Sequence, residues 1–225
     1  MTATSASSAG ASAGPLGLLG GAFDPVHNGH LRLALEMREH LALAQVRLLP
    51  LCAARHRPAP VAPAALRMEM LEAAIAGEPG FSVDDREIRR GGVSYTIDTL
   101  ESLRADMPDR SFVWIIGLDA FAQLPGWVRA QDLWRHTHFG VARRPGAQLP
   151  DDPRLDALRD RAEGVGAAAI AARPAGLAAF VDIPLLDISA TGVRARLARG
   201  ASVRGLVPES VLAIIQRTDL YRHDL

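Results

Sequence analysis

"LGLLGGAFDPVHNGH", Leu16 to His30, decides how this chain folds. Its first six residues are a continuous apolar run closed by a glycine pair, the pattern of a strand buried on both faces. Phe23, Asp24 and Pro25 follow as a turn. His27 and His30 then stand three apart at the head of a segment, 29–43, whose apolar residues Leu31, Leu35 and Leu41 keep helical spacing. Strand, glycine pair, turn and helix together make the opening unit of an open parallel sheet, in which ligands bind beyond the carboxyl ends of the strands.

The rest of the chain repeats the alternation. Residues 45–52 read as a second strand. Residues 62–77 read as a helix with Pro63 near its start and Gly77 after its end. "FSVDDREI", 81–88, reads as a strand, and 94–107 as a helix that Ser94 or Thr96 caps. The most apolar strand is "SFVWIIGLD", 111–119, and another covers 137–144. From 145 to 179 the composition turns to Ala, Arg, Pro and Gly; only 155–162 reads as a helix there, and the remainder as a surface excursion. A late strand over 178–186 and helices over 190–200 and 208–217 close the chain. The expected fold is α/β: a Rossmann-like, doubly wound parallel sheet with helices on both faces and a small C-terminal helical portion, about 189–225. Residues 1–15, small and polar, read as a disordered leader, and 16–225 as a single domain.

Composition narrows the function. The chain has 225 residues, 48% of them hydrophobic, enough for a sizeable core. Its 25 basic and 25 acidic residues give a formal net charge of zero, so no global field draws it to nucleic acid or to a membrane surface. Phosphate chemistry has to come from a local cluster. No apolar run reaches the ~18–20 residues of a membrane helix. The single cysteine, Cys52, excludes a disulfide within the chain and fits a reducing, cytoplasmic setting. Monomer and homo-oligomer are both compatible with this composition.

The opening stretch is also a candidate site. Backbone N–H groups at a helix start attract anions, and Gly20 and Gly21 allow close approach to the main chain. The dinucleotide fingerprint GxGxxG and the phosphate loop GxxxxGK[ST] are both missing. At spacing i, i+3, His27 and His30 share a helix face. Zinc ligation asks for a third ligand and usually for i, i+4 spacing with a Glu, and neither is present. Two readings stay open: capping histidines of a tight turn, or two donors that hold phosphate oxygens during phosphoryl or nucleotidyl transfer. "ISATGVRARL", 188–197, adds a second anion site. Ser189 or Thr191 can cap the following helix, and Arg194 lies one turn after Thr191, so hydroxyl and guanidinium can face one anion. A cap followed by a solvated arginine is the plainer alternative.

Taken together these stretches resemble a known family. "GGAFDPVHNGH" matches the (H/T)xGH signature of the nucleotidyltransferase superfamily, and "ISATGVR" its ISxTxxR signature. "SYTIDTL", 94–100, and "GLDAFAQLPGW", 117–127, look like those of bacterial nicotinate-nucleotide adenylyltransferases. The resemblance implies transfer of AMP from ATP to nicotinate mononucleotide, giving nicotinate adenine dinucleotide and pyrophosphate, without an enzyme nucleophile. It implies that His27 and His30 contact ATP phosphates, with His30 nearest the developing charge. Ser189, Thr191 and Arg194 hold the departing phosphates. Mg²⁺ bridges those phosphates through water and nucleotide oxygens, with no metal ligand from the protein. Gly20, Gly21, Ala22 and Phe23 lend backbone to the nucleotide, and Gly117 and Asp119 lie beside its ribose or adenine.

For the acceptor, the resemblance implies that Tyr95 and Trp127 border the pyridine ring. Thr96 and the N–H groups at its helix start take the carboxylate, and Arg144 is a phosphate contact. A core role for Trp127 and a simple cap for Thr96 are the structural alternatives. The chain departs from the family's Pro-Pro-His-Lys-like run, showing "CAARHRP", 52–58, in which His56 and Arg57 stand as candidate phosphate contacts. Nicotinamide mononucleotide, another acceptor such as that of phosphopantetheine adenylyltransferases, and a non-catalytic nucleotide sensor are the competing readings.

Overall fold

A computed structural model describes residues 14–55, 58–184 and 186–222. The opening run forms β1 (Leu16–Gly21), followed by α1 (Asn28–His40), β2 (Gln45–Pro50), α2 (Ala64–Ile75), β3 (Phe81–Val83), α3 (Arg86–Arg90) and α4 (Thr96–Asp106). The second half comprises β4 (Phe112–Gly117), α5 (Leu118–Ala122), α6 (Ala130–His136), β5 (His138–Arg143), α7 (Asp156–Asp160), α8 (Ala167–Ala171), β6 (Ala178–Asp182), α9 (Ala190–Ala198) and α10 (Glu209–Thr218).

The strands form one parallel sheet in the order β3-β2-β1-β4-β5-β6. The chain winds outward from β1 through β3, then returns to the other side of β1 at β4. A crevice opens at that switch point. Its depth follows from register: β1 pairs with β2 as far as Gly21↔Pro50 but with β4 only as far as Leu18↔Trp114. The carboxyl ends of β1 and β4 therefore diverge.

Period-two alternation sorts the core onto two faces. Leu16, Leu18, Phe112, Trp114 and Ile116 meet α4 and α6 through Ile97, Leu100, Leu103, Leu133 and Trp134. Leu19, Val113 and Ile115 meet α1, α2, α9 and α10 through Ala34, Met37, Met70, Val193 and Val211. Helices on both faces make the sheet doubly wound, as expected. The C-terminal helices contribute to the main core: Ser210 Oγ donates to the Ala73 carbonyl at 2.9 Å, and Arg217 pairs with Glu69 at 2.6 Å.

Three sequence expectations change. "FSVDDREI" is a strand only to Val83, because buried Asp84 accepts the Arg86 N–H at 3.1 Å and turns the chain into α3. The 145–179 stretch is no surface excursion. As the crossover from β5 to β6 it buries Leu155, Leu158, Ala162 and Ile170. Neither Ser94 nor Thr96 caps α4; Tyr95 occupies that position, and Ser94 Oγ accepts from the Cys52 N–H at 3.1 Å. Residues 1–13 of the expected leader lie outside the described residues; Pro15 already accepts the Ala44 N–H at 2.9 Å.

Candidate active site

The turn between β1 and α1 is held from both sides by arginines. Arg67 of α2 is 2% exposed and donates to the carbonyls of Ala22 and Leu51 at 2.9 and 2.8 Å. Arg194 of α9 donates to the carbonyl of Asp24 at 2.7 Å and lies 3.7 Å from its carboxylate. The buried Asp24 carboxylate accepts from the N–H groups of Val61 and Ala62 at 2.7 and 3.0 Å and from the hydroxyl of Tyr221 at 2.7 Å. Phe23 adopts a left-handed φ of +47°, tolerated because its fully buried ring is packed on every side. The turn is thus a preorganised main-chain cradle at the head of α1.

His27 and His30 do share a face. Their rings stack at 3.7 Å with 21° between planes, and Phe23 meets His30 edge-on at 4.9 Å. Gly29 leaves room for the ring, since a Cβ there would lie 3.0 Å from His27 Nδ1 and press it aside by a few tenths of an ångström. The His27 N–H donates to His30 Nδ1 at 3.3 Å. That bond sets the neutral tautomer of His30, leaving the proton on Nε2 for a ligand. Burial pushes His27 down to about 4, and burial plus the neighbouring His27 pushes His30 down to about 3. Near neutral pH both rings are uncharged donors, and the fixed positive charges beside the turn are the Arg67 and Arg194 guanidiniums.

At the other motif, Ser189 caps α9 by accepting the Gly192 N–H at 3.1 Å. Thr191 Oγ1 stands 3.5 Å from Arg194 Nη2. Thr191, Arg194, Ala22, Asp24, Ala54 and Pro58 are among the residues that line a cavity of about 210 Å³. The His27 side chain faces the His30 N–H in a capping box at the head of α1, and Arg194 Nε is buried with no hydrogen-bond partner among the described residues.

A second cavity of about 260 Å³ brings Tyr95, Thr96 and Trp127 together, as the sequence suggested, with Arg55 and Ala54 on its wall. Ala54 lines both cavities. Gly117 and Asp119 sit where β4 passes into α5, at the switch-point crevice. Arg144 is elsewhere on the rim: it is exposed, pairs with Asp187 at 3.5 Å, and lines neither cavity. His56 and Arg57 lie outside the described residues. The glycine pair also serves packing. A Cβ on Gly20 would lie 2.9 Å from the Trp114 indole, and one on Gly21 would lie 3.2 Å from the Phe23 ring.

Comparison with known proteins agrees with this architecture. A family model described as cytidylyltransferase-like matches residues 18–196. A relative from Marinobacter nauticus, named "Probable nicotinate-nucleotide adenylyltransferase", is 45% identical over 206 residues, covering 91% of this chain and 95% of its own. One of the same name from Pseudomonas entomophila is 47% identical over 210 residues, covering 92% and 94%. The chain belongs to the nicotinate-nucleotide adenylyltransferase family. A solved nicotinic acid mononucleotide adenylyltransferase from Plasmodium falciparum, complexed with NaAD, shares the fold with a TM-score of 0.71 at 15% identity. That match covers 94% of this chain and 98% of the other.

Within this adenylyltransferase scaffold, three site residues escaped the sequence reading. Asp24 carried a signal, its place in the turn between the two motif halves. Arg67 and Tyr221 carried none: Arg67 reads as an ordinary residue of a surface helix and Tyr221 as one of the tail after the last helix, and only tertiary packing brings them to the turn. Among the described residues, no group of three or more His, Cys, Asp or Glu could hold a metal, and no helix is long and apolar enough to cross a membrane.

Proposed function

We propose that this protein transfers AMP from ATP to nicotinate mononucleotide, releasing nicotinate adenine dinucleotide and pyrophosphate. A phosphate oxygen of the mononucleotide attacks the α-phosphorus of ATP. The new P–O bond forms as the bond to the bridging oxygen breaks, and the electron pair leaves with pyrophosphate. The observation that carries this reading is the meeting of two motifs 170 positions apart, with Arg194 donating to the Asp24 carbonyl at 2.7 Å. It places imidazole and hydroxyl donors and a guanidinium around one turn, the donor set that stabilises an in-line displacement. The lone free cysteine and the names of the relatives fit a cytoplasmic biosynthetic enzyme.

In this scheme His27 and His30 donate to the ATP phosphates, His30 through Nε2–H. Arg194, Thr191 and Ser189 receive the pyrophosphate, while Tyr95, Thr96 and Trp127 border the pyridine ring. The one buried carboxylate at the turn, Asp24, is already engaged by Val61, Ala62 and Tyr221, so Mg²⁺ fits as part of the nucleotide complex. When bound there it would neutralise phosphate charge. The test is product formation from ATP and Mg²⁺ with nicotinate or nicotinamide mononucleotide in separate reactions, following pyrophosphate and dinucleotide mass. Acid-form dinucleotide is expected; folded protein that binds ATP yet makes neither dinucleotide would overturn the reading.

A further inference from the structure

We infer that Arg55 selects the acid over the amide form of the pyridine mononucleotide, by pairing its guanidinium with the ring carboxylate. The inference rests on the function proposed above and concerns the cavity of about 260 Å³ bordered by Tyr95, Thr96 and Trp127. Among the described residues, Arg55 is the only charged one that lines it. The others offer rings, hydroxyls, small aliphatic groups and a glycine. Aromatic walls hold a pyridine equally well whether its substituent is a carboxylate or an amide. The two forms differ by one charge, so a charged wall residue adds to the N–H groups at the start of α4 in telling them apart.

Local structure keeps Arg55 at that wall. The loop after β2 is stitched to the segment before α4 by a parallel bridge between Ala53 and Val93. The Ser94 N–H donates to the Ala53 carbonyl at 2.8 Å, and the Cys52 N–H to Ser94 Oγ at 3.1 Å. Arg55 follows two residues after this anchor. It is exposed and has no hydrogen-bond or ion-pair partner among the described residues, whereas neighbouring arginines such as Arg47, Arg86 and Arg129 are paired with carboxylates. Asp98, in the first turn of α4, does not line the cavity. A guanidinium presents only donors: it accepts a carboxylate through two N–H groups and leaves the amide's NH₂ without an acceptor. The chain contains no lysine, so no side-chain ammonium competes with the guanidinium for this role.

The same guanidinium could instead meet the mononucleotide's phosphate, and selectivity separates the two. Arg55→Gln and Arg55→Lys would be assayed against wild type with both mononucleotides at saturating ATP and Mg²⁺. Calorimetric binding of each mononucleotide would be measured in parallel. In Arg55→Gln the acid-to-amide ratio of kcat/KM is expected to fall about 10- to 100-fold, the worth of a charge-assisted hydrogen bond. The change should appear mainly in the acid's KM, with the KM for ATP and the melting temperature unchanged, and Arg55→Lys should restore part of it. An equal loss for both mononucleotides would move Arg55 to the phosphate and overturn the inference, as would an unchanged ratio. Binding that keeps the acid preference in wild type and loses it in Arg55→Gln, without any dinucleotide formed, would sink the proposed reaction and leave this inference standing.

Discussion

The hydroxyl of Tyr221 donates to Oδ1 of Asp24 at 2.7 Å, across 197 positions of sequence. Tyr221 is 2% exposed and itself adopts a φ of +67°, so the segment after α10 is held in one path down to that hydroxyl. Burial and the Asp24 carboxylate both push the phenol's pKa up, which keeps it a donor at every working pH. The β1–α1 turn is therefore closed by the segment after the last helix.

Removing that donor should loosen the turn. Tyr221→Phe is expected to cost about 1–2 kcal/mol, since Asp24 keeps its two backbone donors. That corresponds to a fall in Tm of roughly 2–8 °C for a chain of this size. Asp24→Asn should cost more, about 2–4 kcal/mol, because an NH₂ group then faces donors or the acceptor is halved. Thermal denaturation checks both; an unchanged melting curve for Asp24→Asn would show that the network contributes nothing.

His30→Ala is expected to reduce turnover by about 10²-fold or more at saturating substrate, as loss of a donor aimed at developing charge does. The ring makes one hydrogen bond within the protein, to the His27 N–H, so the variant should stay folded. Steady-state kinetics alongside circular dichroism separates the two effects, and full turnover in a folded variant would remove His30 from the chemistry.

Acid should destabilise the fold in a defined window. With folded-state values of about 4 for His27 and about 3 for His30, the unfolded chain binds more protons as pH falls below about 6.5. The stability these neutral rings contribute is fully present above about 6.5 and is lost as pH falls toward their folded values. Each ring contributes a slope approaching about 1.4 kcal/mol per pH unit inside that window. Urea titrations at pH 7.5 and 5 should show a smaller loss in a His27→Gln/His30→Gln double variant than in wild type.

Gly20→Ala is expected to cost about 1–3 kcal/mol, because the new methyl would lie 2.9 Å from a Trp114 ring that is itself 5% exposed and boxed in. Gly117→Ala, at the neighbouring strand end, meets nothing within 4 Å and should melt close to wild type. Equal Tm values for the two variants would refute the packing account of Gly20.

Much of the fold was legible because period and punctuation agree. Leu16–Gly21 and Phe112–Gly117 are apolar runs ended by glycine, and the helices between strands carry the 3.6-residue period. The reading failed where a side chain redirects the backbone. Asp84 ends β3 by binding the Arg86 N–H, and Gly117 begins α5 where the sequence suggested that the strand ran on to Asp119. At the site, residues within a motif could be found because spacing encodes a shared face: His27 with His30, Thr191 with Arg194. Arg67 and Tyr221 could not, since their hydrogen bonds reach partners 45 and 197 positions away. The packing role of Gly20 was not legible, because the ring that fills its missing side chain belongs to another strand.

Ala54 lines both the cavity of about 210 Å³ and that of about 260 Å³, and its side chain is a single methyl group. For inhibitor chemistry that is a short bridge. A phosphate mimic seated by Thr191 and Arg194 and a flat heteroaromatic seated by Tyr95 and Trp127 can be tethered over this one side chain. A tether matched to the span turns the second contact into an intramolecular event, worth about 10²–10⁴ in avidity over either fragment alone. A bulkier residue at position 54 would lengthen the required tether, which makes Ala54→Val a natural resistance substitution to such compounds.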